Sequence, residues 1–269
     1  RAAIRDLARP ENENRPAAPA VNDLSGLVEE KTVPDSRLVA LSGKTYDELS
    51  HRLSRLRTGA AATDQNGLKT VLVTSAGSGD GKSLTAANVS IALARESGER
   101  VLLVDANLRK PSLHRLLGIS QGKGLSDLLR GEASANEFIF KTDISNLHAV
   151  KAGTMAGNPS ELLNTRRMCD FLAFARKHFD WVFLDSPAMV PEPDAELLSS
   201  FVDGVLVVAG IFHAPIGSTL EAVRLLRGRR VLGIVCNGVH APGNLLDVSS
   251  ERTGRLGALR RLSPFSRVS

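Results

Sequence analysis

From Thr74 to Thr85 the chain reads Thr-Ser-Ala-Gly-Ser-Gly-Asp-Gly-Lys-Ser-Leu-Thr. A β-branched apolar run, Thr70 to Thr74, precedes it, and apolar residues at helical spacing, Leu84, Ala87, Ile91 and Ala94, follow it. The order is strand, glycine-rich loop, helix, and Ala76, Gly81, Lys82 and Ser83 fit the phosphate-binding loop pattern with Ala in place of the first Gly. Glycines let the backbone curl until several N–H groups point into one concavity, an anion nest. The helix that starts near Lys82 adds the positive end of its dipole. The expected nucleotide-binding set is Gly77, Ser78, Gly79, Asp80, Gly81, Lys82, Ser83 and Leu84. In it Lys82 reaches the β- and γ-phosphates of ATP, and the Ser83 hydroxyl ligates Mg2+.

The rest of the chain repeats strand-then-helix. Val101 to Val104 and Val182 to Leu184 are apolar throughout and end in carboxylates, Asp105 and Asp185. Continuous apolar runs suit strands covered on both faces of a parallel sheet, whose C-terminal ends collect ligands. Asp105 lies beside the phosphates if its strand neighbours the first. Leu147–Val150, Val205–Val208 and Val231–Cys236 predict further strands, the last two buried. Helices are predicted over 46–56, 111–118, 125–129, 219–226 and, with Met168, Phe171, Leu172, Ala175 and Phe179 on one face, over 166–179. The fold class is therefore α/β: a doubly wound, mostly parallel P-loop NTPase sheet with Walker A, A′ and B motifs. Residues 1–36, rich in Pro, Glu, Asn and Ala, are expected to be a disordered leader with room for a short helix at Ala2–Ala8. The catalytic domain spans 37–240, with a loop at 59–67, and a flexible basic tail spans 241–269.

Composition limits the function classes. The 269 residues carry a net charge of +5, yet hold one Trp and one Tyr, too few aromatic rings for a base-stacking platform, so no nucleic-acid partner is expected. No run of 18 apolar residues exists to span a bilayer. The two cysteines, Cys169 and Cys236, sit in apolar segments and are expected to be buried, reduced thiols, as suits the cytosol.

The segments Ala76–Ser83, Val101–Arg109 and Val182–Pro187 resemble Walker A, A′ and B of the bacterial tyrosine kinases, the cytoplasmic kinases of capsule and exopolysaccharide synthesis. Lys110–His114, Gly124–Leu129, Ala152–Gly153, Asn158–Leu163 and Asp194–Ala195 also resemble family segments. The resemblance runs from about Leu38 to His240. It implies ATP and Mg2+ as cofactors and Lys82, Asp105 and Asp185 as catalytic residues. Asp105 acts as base toward a tyrosine hydroxyl or assists the metal, and Ser83, Asp105 and Asp185 are the metal ligands. Asn237 is similar to a residue that reads adenine in related ATPases, and is equally a strand-end turn residue before Gly238. The implied partners are the cytoplasmic segment of a Wzz-like membrane chain-length regulator, protein substrates bearing tyrosine, and further copies of the chain in a homo-oligomer. The implied location is cytoplasmic, peripheral at the inner face of the plasma membrane.

Three departures separate the chain from that pattern. The family's A′ motif has two acids one residue apart, and the second position here is Asn107, which can hydrogen-bond but cannot take a proton. The family's C-terminal tyrosine cluster is missing, and the single tyrosine is Tyr46. Glu48, Arg52 and Arg55 resemble the Glu and two Arg of ring assembly but are spaced one residue longer. Three functions follow: a kinase acting on another protein or on Tyr46, a catalytically weak nucleotide-dependent regulator of polysaccharide export, and a ParA/MinD-type partitioning or division-site ATPase. The last group carries a signature lysine early in the loop, where this chain has Gly77.

Overall fold

In the computed structural model the described residues are 28–29, 44–61, 67–132, 138–210 and 215–238. Among them one eight-stranded sheet carries helices on both faces. The strands are β1 (Val28–Glu29), β2 (Thr70–Ser75), β3 (Val101–Asp105), β4 (Ile139–Lys141), β5 (Leu147–Val150), β6 (Trp181–Asp185), β7 (Gly204–Gly210) and β8 (Val231–Asn237). Their order across the sheet is β1-β4-β5-β3-β6-β2-β7-β8. All neighbours run parallel except β4 and β5, which pair antiparallel. The helices are α1 (Lys44–Ala61), α2 (Lys82–Glu96), α3 (Leu113–Leu117), α4 (Leu125–Arg130), α5 (Pro159–Leu163), α6 (Arg166–His178), α7 (Asp194–Ser199) and α8 (Ile216–Leu225).

The apolar runs are continuous because the central strands feed two cores. Leu72, Leu102, Val104, Val182 and Leu184 face one of them, with α6 beyond. Val71, Val73, Val101, Leu103, Trp181 and Phe183 face the other, with α1 and α2 beyond. Alternate residues of a strand point to opposite faces, so a strand buried twice must be apolar at every position. Each such side chain contributes about 1.5–3 kcal/mol by leaving water. In α6 the buried side chains Met168, Phe171, Leu172 and Ala175 form the expected stripe.

Ion pairs close the lower edge of the sheet. Arg57 of α1 pairs with Glu99, lies 4.9 Å over the Trp181 ring, and donates to the Asp180 carbonyl at 3.3 Å. Trp181 Nε1 donates to the same Glu99 at 2.8 Å. Asp203 accepts from the Lys69 and Thr70 amides and the Thr70 hydroxyl at 2.8–3.0 Å and pairs with Arg176 at 2.8 Å, tying the starts of β2 and β7 together.

Several expectations are corrected. Val28–Glu29 of the expected leader pair with β4, and the rest of 1–36, like 241–269, lies outside the described residues. The 59–67 loop starts later, because α1 runs on to Ala61. The three-residue β4 and the six-residue α7 escaped periodicity arguments because neither completes enough turns or alternations to show one. Strand β8 is at the sheet edge and half-exposed rather than buried. Both cysteines are exposed, Cys236 on that edge strand and Cys169 on the outer side of α6. Tyr46 is buried, 6% exposed, against α2.

Candidate functional site

The loop between β2 and α2 needs two left-handed residues, and both are glycines: Gly79 and Gly81 have φ of 90°. Gly81 caps α2, its carbonyl accepting from Thr85 N at 2.9 Å. The loop is braced internally. Gly77 N donates to Asp80 at 3.0 Å, and the Gly77 carbonyl accepts from Ser75 Oγ at 2.6 Å and Lys82 Nζ at 3.3 Å. Asn237, at the end of β8, donates from Nδ2 to the Asp80 carbonyl at 2.9 Å. A methyl group on Gly81 would sit 1.9 Å from that Nδ2, and one on Gly210 would sit 2.6 Å from Asp80 Oδ1. The loop is thus wedged between the ends of β7 and β8.

The two carboxylates come from the tips of β3 and β6. Asp105 and Asp185 are register partners, at the same end of the sheet as the loop. Strand β6 lies between β3 and β2, so it is Asp185 that sits beside the loop strand and Asp105 one strand further. Both are fully buried. Asp105 accepts from the amides of Asn107, Ser112 and Leu113 at 3.2, 3.0 and 3.0 Å. Burial pushes its carboxyl up to about 6, with those hydrogen bonds and Arg115 pulling the other way. Asp185 is pushed up to about 8, first by burial and then by the Asp105 charge, with Ser83 and Lys82 opposing. Among the described residues neither Asp185 oxygen has a hydrogen-bond partner of good geometry, although the Ser83 hydroxyl is near enough to oppose the upward shift. Burial also lowers Lys82 below the ordinary lysine range, with Asp185 and Asp80 resisting. Ser112 Oγ donates to Ser83 Oγ at 2.7 Å, so the A′ turn touches the first residues of α2.

Above this floor opens a cleft of about 690 Å³. Of the expected nucleotide-binding set, Ser78, Gly79, Gly81, Lys82, Ser83 and Leu84 line it. Gly77 and Asp80 stand behind the loop's surface, Asp80 buried with its carboxylate turned back on Gly77. The side chain of Asn237 supports the loop from behind and does not line the cleft. Asn107 lines it, its Oδ1 accepting from Lys110 N at 3.1 Å.

The structure adds residues that motif reasoning did not assign. Arg109 of the A′ segment pairs with Asp194 at 2.6 Å and Glu192 at 3.2 Å and donates to Ser160 at 3.1 Å, and Ser160 donates to Asp194. This clamp explains why the Asn158–Leu163 and Asp194–Ala195 segments accompany the A′ motif: they hold its arginine. Asp127 accepts from Gly124 N, Thr154 N, Thr154 Oγ1 and Arg130 at 2.6–3.0 Å. Burial alone would raise its carboxyl, but these donors hold it below the usual carboxylate range. Gly153, with φ of 93°, would place a methyl 2.4 Å from Asp127, which accounts for the Ala152–Gly153 segment. The signal for both clamps was present as polar residues inside short loop segments.

The domain family described as the CobQ/CobB/MinD/ParA nucleotide binding domain matches residues 71–259. The tyrosine-protein kinase YwqD of Bacillus subtilis strain 168 is 30% identical over 197 residues, 72% of this chain and 82% of that protein. A putative tyrosine-protein kinase EpsB of Ralstonia nicotianae is 33% identical over 180 residues, 66% of this chain but 24% of that longer protein. The solved kinase domain of the Escherichia coli tyrosine kinase ETK superposes with a TM-score of 0.62 at 29% identity, covering 66% of this chain and 70% of that one. With its P-loop, paired strand-tip acids and parallel sheet, the chain belongs to the CobQ/CobB/MinD/ParA nucleotide-binding family and, within it, to the bacterial tyrosine-protein kinases.

Proposed function

We propose that the chain transfers the γ-phosphoryl group of ATP to tyrosine side chains of other proteins, in the control of capsule or exopolysaccharide synthesis. The observation that carries this reading is Asp185: a buried carboxylate with two unpartnered oxygens, facing Asp105 and next to Lys82 and Ser83. An isolated buried anion is costly, and a divalent cation relieves that cost, so the donor set fits Mg2+ held by Ser83, Asp105 and Asp185. Bound Mg2+ supplies charge neutralisation across the phosphates. Lys82 and the loop amides bind and orient the triphosphate. Asp105, held by three backbone amides beneath the cleft, would accept the phenolic proton as the tyrosine oxygen bonds to phosphorus and ADP leaves. Asn107 cannot share that proton, so Asp105 acts without a second carboxylate at the A′ turn.

Tyr46 is not the acceptor, since its ring is packed between α1 and α2. The acceptor we propose is a tyrosine of another protein. The proposed activating partner is the cytoplasmic segment of a membrane chain-length regulator, which would bring the chain to the inner face of the membrane. No helix among the described residues is long and apolar enough to cross a membrane. Asn107 favours a second reading, a nucleotide-dependent regulator of export without turnover.

The test is incubation with labelled ATP and tyrosine-bearing proteins, with and without the partner's cytoplasmic segment. Phosphotyrosine that disappears in Lys82→Met is the expected result. ATP uptake without any phosphotyrosine overturns the kinase reading and leaves the regulator.

A further inference from the structure

The cleft has two unlike walls, and only one of them is needed for a nucleotide. Besides the phosphate-loop residues, Leu116, Pro187, Ala188, Val190 and Pro191 line it. Val190 is 48% exposed there, one of only three large hydrophobic side chains so exposed among the described residues. Beside this apolar strip stand three basic residues of the A′ region, Arg109, Lys110 and Arg115. Their charges are not equivalent. Arg109 is spent on Glu192 and Asp194. Among the described residues Lys110 and Arg115 form no ion pair, although the charge of Arg115 is felt by the buried Asp105, and Arg115 donates to the Pro111 carbonyl at 3.4 Å. Among the described residues the only acid lining the cleft is Glu192, and it is already held by Arg109.

We propose that this wall is the acceptor subsite and that it selects tyrosines flanked by acidic residues. The inference rests on the kinase reading and gives its substrate class. Asn107 and Ser112, whose amides bond the buried Asp105, line the cleft, so Asp105 lies just beneath its surface, and an apolar strip in the same cleft suits a phenol ring. Arg115 lines the same cleft two residues beyond Leu113, whose amide binds Asp105. Cations that form no ion pair, beside an apolar strip, are how acidic peptides are recognised. Lys110 and Arg115 then pair with carboxylates before and after the tyrosine, while Val190 and Leu116 cover the ring.

The test uses the full chain and two fluorescent peptides, one with tyrosine between glutamates and one with tyrosine between glutamines. Anisotropy at low ionic strength reads binding apart from turnover, in the presence of a non-hydrolysable ATP analogue and Mg2+. The glutamate peptide is expected to bind at least tenfold tighter. Lys110→Glu is expected to erase that ratio and Arg115→Gln to reduce it severalfold. Val190→Asp weakens both peptides alike, and none of the three moves the affinity for the ATP analogue by more than about twofold. Equal binding of the two peptides by the unaltered protein overturns the proposal. So does a tenfold loss of ATP-analogue affinity in Lys110→Glu, which assigns that charge to the triphosphate. Selective peptide binding without phosphate transfer supports the subsite and removes only the kinase reading.

Discussion

Asp185 is where the chemistry of single residues is most exposed to test. Its carboxyl is raised because burial and the Asp105 charge both disfavour ionisation. A folded-state value above the unfolded one means that the folded protein holds an extra proton. That stability is fully present below the ordinary carboxylate value and is lost as pH rises through about 8. His148 and His114, both lowered chiefly by burial, act in the opposite direction but only below the ordinary histidine value, so pH 6.5–8.5 lies clear of them. Metal-free protein is expected to lose melting temperature across that window. Asp185→Asn should flatten the profile, since an amide takes up no proton in that range. It should also abolish stabilisation by Mg-ATP. Scanning calorimetry with and without Mg-ATP checks all three outcomes. An unaltered profile in Asp185→Asn would show that Asp185 is not the group that titrates.

At the scale of elements, β8 and the phosphate loop act as one unit. Asn237 closes the contact, donating to the Asp80 carbonyl behind the loop. Its resemblance to an adenine reader and its position as a loop brace make different predictions. A brace that is lost loosens the nest for any triphosphate, so Asn237→Ala should weaken ATP and GTP by the same factor, about tenfold. A reader that is lost should weaken ATP alone. Titration calorimetry with both nucleotides decides between them. The elements also show what was legible in the sequence. Strands β2, β3 and β6 and the helices behind them could be read because being covered on both faces forces an unbroken apolar pattern. The same pattern misled at β8 and at both cysteines, because an apolar run says nothing about which strand ends up at the edge. That depends on strand order, which is set by contacts far apart in sequence. The strand tips Asp105 and Asp185 were legible for the same reason as their strands. The Arg109 and Asp127 clamps were not, since Arg109 gathers polar atoms from two segments remote from its own and Asp127 from Thr154, 27 residues away.

For the molecule as a whole, the packing of α1 on α2 removes the one tyrosine from solvent. Burial pushes the Tyr46 hydroxyl above its ordinary range, with Thr85 and Asn88 of α2 nearby. Tyr46→Phe should therefore leave the phosphorylation of added proteins unchanged, at a stability cost of about 1 kcal/mol for the lost hydroxyl interactions. Phosphopeptide mapping of the purified chain checks the converse, and label on Tyr46 would show that α1 detaches during turnover. Arg57 is the anchor against such detachment, joining α1 to Glu99, Trp181 and Asp180 beneath the sheet.

The pairing of Asp105 with Asp185 across β3 and β6 has one more consequence. Adjacent strands keep a spacing of roughly 4.8 Å, set by peptide hydrogen bonding rather than by side chains. The sheet is thus a ruler, and the gap between the two acids is its smallest division. A glutamate at either tip would carry its carboxylate one methylene away from the position that this spacing gives the pair.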